Sequence, residues 1–378
     1  MRRKNAAQWF RDDASSAEGA AGDPFEPVSG WRGYHRIRKR ADGACGFLSA
    51  NHRCRIHEQL GGNQKPLTCR VFPFSFHAAP AAVIVKTSFG CPTVVANQGP
   101  SIAAGLPLEE ITALRDDWFA GRHSATPERV YVAGRSISAA SLAVLRDSLK
   151  KMLDRTDQRG QIDLHVNVAR MALALDDLTR SRVVRLPDAD FEEYLRLTLP
   201  FAASATAPPA ARPPTRVGRL LQHGFLYAVV ATRHGLDNPG ASRVRLRLQT
   251  LWLLAHFHRV APALGGVNLA SLGRGRLDMN AAEIQPLAYH YLRATIASLG
   301  AADRPVLDDI AIAVSFLNAA GALAVMTARA SGRDIDRAIF SEALMAAVDL
   351  VHADDHGLIG RILGRLAGGV QALYCFGS

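Results

Sequence analysis

Four of the five cysteines in this 378-residue chain fall between Gly43 and Asn97: Cys45, Cys54, Cys69 and Cys91. Deprotonated thiols are soft, charged ligands suited to zinc, Cu(I) and iron–sulfur centres. Zinc takes four ligands in a tetrahedron, and the two common iron–sulfur clusters are each held by four thiolates, so the number fits one centre. Eight, fourteen and twenty-one residues separate successive cysteines and no CxxC knuckle occurs, so the spacing says less than the clustering. The competing reading is four buried, inert cysteines, a common residue type in protein interiors.

The surroundings favour ligation. Arg53, Arg55, Lys65, Arg70 and Lys86 lie among the cysteines, and cations lower thiol pKa values and offset an anionic centre. Phe47, Phe72, Phe74 and Phe76 are placed to exclude water from it, which tunes potential. His57 follows Cys54 by three residues and His52 precedes it by two, so a mixed Cys/His set with His57 as an extra ligand is open. Cys91-Pro92 resembles the Cys-Pro that follows cluster ligands in ferredoxins.

The elements that must position these thiols are short. Turns are expected at Gly46, at Gly61-Gly62-Asn63 and at Lys65-Pro66. Val71–Phe76 puts three phenylalanines on one face at period two, and Ala82–Phe89 is rich in β-branched residues. The pair predicts a small hairpin, with Cys69 entering one strand, Cys91 leaving the other, and Pro73 marking an edge or bulge. A short strand is also expected around Tyr34–Ile37, where His35 reads as a structural or exposed side chain.

Helix follows. Leu108–Phe119, Ser138–Leu153, Ile162–Leu178 and Phe191–Leu199 carry apolar residues at helical spacing, with a short strand at Val130–Val132. Phe201–Thr215 is an Ala/Pro linker that cannot continue a helix. Beyond it Val217–Arg233, Ser242–Val260, Ala281–Leu299, Pro305–Ala330, Asp334–His352 and His356–Tyr374 all read helical. The expected fold is mainly α: a small irregular cysteine-rich α+β metal-binding domain followed by a helical bundle. The expected division is a poorly ordered lead-in at 1–30, the cysteine domain at 31–125, a helical segment at 126–200, the linker at 201–216 and a helical domain at 217–378.

Composition narrows the function classes. A chain of this length, 48% apolar and 21% charged, supports a sizeable core and needs no disulfide staples. No apolar stretch follows MRRKNAAQWFRDDASS, so no secretory signal is expected, and the expected compartment is the cytoplasm. Clustered cysteines there are more often ligands than bridges. The net charge of +11 is spread along the chain without an aromatic-interleaved basic block, so nucleic acid is not the expected partner. Ile310–Ala328 holds no charge over 19 residues, near the length that spans a bilayer; its Ala, Gly, Ser and Asn content predicts a buried bundle helix instead.

The block formed by Gly43, Cys45, Phe47, Leu48, Cys54, Arg55, Ile56, His57, Lys65, Pro66, Cys69, Arg70, Phe72, Pro73, Phe74, Phe89, Cys91 and Pro92 resembles the YkgJ-type cysteine-cluster family. That family is described as chelating zinc or iron, and it includes the flagellin lysine-N-methylases. The resemblance covers about residues 31–100. It implies an iron–sulfur cluster or zinc on the four thiols, S-adenosylmethionine as a co-substrate, and a protein lysine as substrate. Members of the family open with a CxxCxxxCC-like cluster that residues 1–44 lack. This implies either a chain starting inside the full domain or a member with a reduced ligand set. The non-enzymatic alternative is a zinc-stabilised module whose helical domain binds a protein.

No catalytic residue follows from the rest of the chain. His256 and His258 are two apart and would face different sides of a helix. Asp308-Asp309 and Asp354-Asp355-His356 read as helix-end charges, and Gly273-Arg274-Gly275 lacks the frame of a phosphate-binding loop. Cys375 reads as a tail or packing residue.

Overall fold

The computed structural model describes residues 25–27, 35–37, 45–49, 51, 53–79, 82–97, 108–120, 130–132, 134–179, 181–205, 277–301, 305–352, 373 and 376. Expectations for His52, Cys375, the His256/His258 pair, Gly273-Arg274-Gly275, Asp354-Asp355-His356, the linker beyond Ala205 and the helices at 217–233 and 242–260 lie outside these residues, as does the helix at 356–374 apart from Leu373. In chain order the first elements are strands β1 (Phe25–Pro27) and β2 (His35–Ile37), then helix α1 (Arg55–Leu60), a single 3-10 turn at Gly62–Gln64, and α2 (Leu67–Val71). Strands β3 (Phe74–Ala79) and β4 (Ala82–Thr87), helices α3 (Pro92–Ala96) and α4 (Leu108–Ala120), and strands β5 (Val130–Val132) and β6 (Arg135–Ile137) follow. The remainder is helical: α5 (Ala139–Leu153), α6 (Leu164–Leu178), α7 (Ser181–Val184), α8 (Asp188–Ser204), α9 (Gln285–Ala297), α10 (Val306–Ser331) and α11 (Arg337–His352). The protein is mainly helical, with an α+β N-terminal region, as its sequence predicts.

The elements group into two compact units. One comprises Met1–Phe72 and Pro107–His123; the other comprises Pro73–Leu106 and Ser124–Ser378. In the first unit β1 and β2 pair antiparallel, with Phe25 opposite Ile37, so a strand forms within the stretch read as a lead-in. Helix α2 packs against α4, where Arg70 reaches Asp117 at 2.7 Å. Phe47 and Ile56 form a small core, with Ile37, Cys45 and Cys54 packed against it.

In the second unit β3 and β4 form the expected hairpin, with Phe76 opposite Val85 and Ala79 opposite Ala82. Its start differs from the reading of the sequence. Cys69 lies in helix α2 rather than at a strand end, and strand pairing begins only at Phe74. Two prolines explain this: Pro66 sits at the N-cap and opens a helical turn, and Pro73 has no N–H to give to a ladder. The carbonyl of Pro73 is still used, accepting from the Ser88 N–H at 2.7 Å. Phe72, placed by period two on one face with Phe74 and Phe76, is 52% exposed.

The helices of this unit pack their apolar stripes into one continuous core. Ser138 caps α5 by accepting from the Ser141 N–H, and Asp163 does the same for α6 from Val166. Asn280 joins that second cap from far along the chain. Its Oδ1 accepts from the Leu164 N–H at 2.8 Å, and its Nδ2 donates to Asp163 at 3.0 Å. Helix α8 runs past Pro200 to Ser204, four residues into the stretch read as linker. The missing N–H falls near the last turn, where the Ser204 hydroxyl donates to the Pro200 carbonyl at 2.8 Å.

Helix α10 carries the uncharged segment 310–328 at its middle. It starts after Pro305 with Asp308 and Asp309 in its first turn and stops at Gly332, whose φ of +64° few other residues adopt. Its length and composition would let it cross a membrane, yet 72% of its most apolar 18-residue stretch is buried inside the fold. It packs against α9, α11 and β5. A helix apolar on all sides is what the centre of a bundle requires.

Candidate metal centre

The three earlier cysteines sit in the first unit on short, tightly bonded elements. Cys45 opens a turn whose carbonyl accepts from the Leu48 N–H at 3.0 Å. The chain doubles back so that Leu48 bridges Cys54 as an isolated antiparallel pair, and the Ser49 N–H reaches the Arg53 carbonyl at 2.9 Å. Cys54 then becomes the N-cap of α1, its carbonyl accepting from Glu58 at 3.0 Å. Both residues are half-buried on the Phe47–Ile56 core, so that small core serves as their platform.

Cys69 is the third residue of α2, its N–H bonded to the Pro66 carbonyl at 2.8 Å. The residue is exposed as a whole, but protein atoms crowd its thiol. That crowding pushes its pKa up, and the thiols of Cys45 and Cys54 push it further, while a hydrogen bond from Thr68 and the charge of Lys65 oppose the rise. Cys69 is thus within electrostatic reach of both other thiols. Three such groups resist ionising together unless a cation compensates them.

Cys91 belongs to the second unit, as the N-cap of α3. Its N–H bonds to the Ser88 carbonyl at 3.2 Å and its carbonyl accepts from Val95 at 3.0 Å. All four cysteines are free thiols. His57 points from α1 as an exposed residue, with Gly62 beside its ring. Among the described residues no group of three or more His, Cys, Asp or Glu side chains stands close enough to hold a metal ion. The donor chemistry therefore fits a thiophilic metal, while the side-chain positions stop short of coordination.

The cations read from the sequence divide by role. Lys65 acts on Cys69. Arg55 donates to the Gly46 carbonyl at 3.2 Å and so braces the Cys45 turn, while Arg53 faces Glu58 at 3.8 Å. Arg70 is engaged by Asp117. The aromatic shield also narrows: of the four phenylalanines, Phe47 alone touches the first-unit core, Phe72 is exposed, and Phe74 and Phe76 belong to the other unit. Thr68 and Asp117 were not singled out from the sequence. A threonine beside a cysteine is a signal that could have been read; Asp117 lies 47 residues from Arg70 and carries none.

No family model matches the chain, and neither a curated protein nor a solved structure does. The likeness to the YkgJ-type family accordingly rests on the cysteine block itself.

Proposed function

We propose that the chain is a cysteine-ligated metal protein of the YkgJ type. In this reading Cys45, Cys54, Cys69 and Cys91 are the ligands, His57 is a possible extra, and an iron–sulfur cluster is favoured over zinc. The gathering of three of the four thiols in one unit supports it best: Cys45 and Cys54 share the Phe47–Ile56 core, and Cys69, whose pKa is raised first by burial, lies near enough for their thiols to add to the rise. Such a cluster supplies one-electron chemistry, whereas zinc supplies a closed structural site. The protein's own part is to hold Cys45 and Cys54 on the Phe47–Ile56 core and to present Cys69 from a helical turn. By resemblance, the activity would be N-methylation of a protein lysine with S-adenosylmethionine, in the cytoplasm.

A second reading is a zinc-stabilised module without enzymatic activity, whose helices bind a protein. Leu197 and Phe201, one turn apart on α8 and 66% and 78% exposed, favour it, since large apolar side chains left in water mark contact surfaces. Anaerobic purification with metal and sulfide analysis and a visible spectrum separates the two. Iron with sulfide and broad absorption supports the first reading, and a colourless protein with one zinc supports the second. Protein that binds neither metal after anaerobic reconstitution sinks both. Replacing Cys69 by serine is expected to abolish metal retention; unchanged metal content would remove it from the ligand set.

A further inference from the structure

A cleft of about 480 Å³ opens between α5 and α9, within the second unit. Arg146 and Lys150 line it from α5, one helical turn apart, and His290 and Arg293 line it from α9. Ala143, Ala294 and Ala297 leave room between the helices and give the cleft an apolar wall. This volume lies in the range of ordinary small-molecule sites.

The charge in the cleft is unbalanced. Its lining holds three permanent cations and one carboxylate, Asp147, which is already engaged at 2.8 Å by Lys151, a residue outside the lining. Arg146 donates from Nε and Nη2 to the Leu299 carbonyl, at 3.0 Å for Nε, which fixes its guanidinium beside the end of α9. Its Nη1 has no hydrogen-bond partner among the described residues, and no carboxylate there neutralises it. Burial alone lowers its pKa, the mark of a guanidinium held without a counter-charge. The Lys150 ammonium likewise has no partner among the described residues. Arg293 faces Asp154 at 3.5 Å through Nε and also hydrogen-bonds Tyr289, which leaves Arg146 and Lys150 as the two unopposed cations. His290 gives its Nε2 to the Val94 carbonyl at 3.1 Å and packs on Phe89, so it serves as a neutral wall.

We propose that this cleft binds a phosphate dianion, with Arg146 and Arg293 as planar donors on its two sides and Lys150 as a movable charge at the mouth. Guanidinium groups match phosphate oxygens geometrically, and a cleft walled by low-dielectric side chains concentrates the field of its cations. Two unopposed positive charges suit a dianion better than a carboxylate. The alanine wall leaves space for a small organic body attached to the phosphate.

The test is calorimetric titration of the full chain at low salt with inorganic phosphate, phenyl phosphate and benzoate. Phosphate-bearing probes are expected to bind more tightly than benzoate, and added salt is expected to weaken them. A tighter constant for phenyl phosphate assigns the site to a phosphorylated organic molecule, and an equal one assigns it to free phosphate. Lys150→Glu is expected to weaken binding by about tenfold or more, while Arg159→Glu, at an exposed cation outside the cleft, changes it by about twofold at most. Lys150 is exposed, so neither this variant nor Lys150→Gln disturbs the core. Absence of phosphate binding, benzoate binding as tightly, or equal losses in the two glutamate variants would each overturn the proposal. Cys69→Ser leaves this site intact, so loss of the metal reading does not affect it.

Discussion

Replacing Glu192 by glutamine isolates one joint of the helical unit. The Glu192 carboxylate, on α8, accepts from the Ser138 N–H at 2.5 Å and from the hydroxyls of Ser138 and Ser141 at 2.7 Å each. It therefore ties α8 to the start of α5, whose N-cap is Ser138 itself. Burial pushes its pKa up, but these three bonds and Arg196 more than reverse that, so the net shift is downward. Hydrogen bonds to charged groups contribute about 1.5–3 kcal/mol each when buried. The half-exposed site reduces this, so the whole joint is worth about 2–3 kcal/mol. Glutamine keeps an acceptor for the Ser138 N–H, but the two hydroxyls must turn to accept from its amide and the charge that strengthened all three bonds is gone, so about 1–2 kcal/mol should be lost at neutral pH. A depressed carboxylate pKa contributes stability above its unfolded value, about 4.3, and loses it as pH falls through the lower folded value. The difference between wild type and Glu192→Gln should therefore be full at pH 7 and shrink below about pH 4. Urea midpoints followed by circular dichroism at both pH values measure it. Equal midpoints at pH 7, or a gap that persists undiminished in acid, would refute the reasoning.

Other substitutions probe other joints. Asn167 is buried and its amide donates to the carbonyls of Leu153 at 3.0 Å and Arg155 at 2.8 Å, so Asn167→Ala should cost about 2–3 kcal/mol in a denaturant titration by leaving two carbonyls unpaired. Gly300 has a φ of +77°, and a Cβ there would stand 2.9 Å from Leu142. Gly300→Ala should lower stability by about 2 kcal/mol, measured the same way. Tyr289 donates to Asp154 at 2.6 Å, and burial followed by that carboxylate raises its pKa to about 12. A raised phenol favours the folded state below the unfolded pKa and loses that effect as pH rises through 12. Near-ultraviolet titration should accordingly show a late ionisation that Tyr289→Phe removes.

Periodic segments were readable because one residue type decides them. The stripe of Leu142, Leu145, Leu149 and Met152 forms the buried face of α5, and the β-branched run at 82–87 forms β4. The errors of detail lie at prolines. Pro66 opens a helical turn that takes in Cys69, which was expected at a strand entry, and Pro200 lies inside α8, which ends at Ser204 rather than before the Ala/Pro stretch. What periodicity does not carry is pairing between distant residues. Asn280 with Asp163, Arg146 with Leu299, and Phe89 against the Tyr291 ring at 4.8 Å follow from how helices stack, and no local pattern encodes them. The four cysteines stood out in the sequence by type and clustering, while their side-chain positions relative to one another were not readable there. Their division, three in one unit and Cys91 in the other, depends on a chain path that crosses between units at Phe72 and returns at Pro107.

The all-round apolar character of α10 bears on the order in which the chain is made. Its packing partners β5 and α9 precede it in sequence, and α11 begins five residues after its cap at Gly332. During synthesis the neighbours that cover it from one side have already left the ribosome when α10 emerges. The remaining partner arrives within a turn of the next helix, at a small loop-closure cost. This long apolar helix is thus exposed only briefly, and a circular permutation that moved α10 ahead of β5 and α9 would lengthen that exposure.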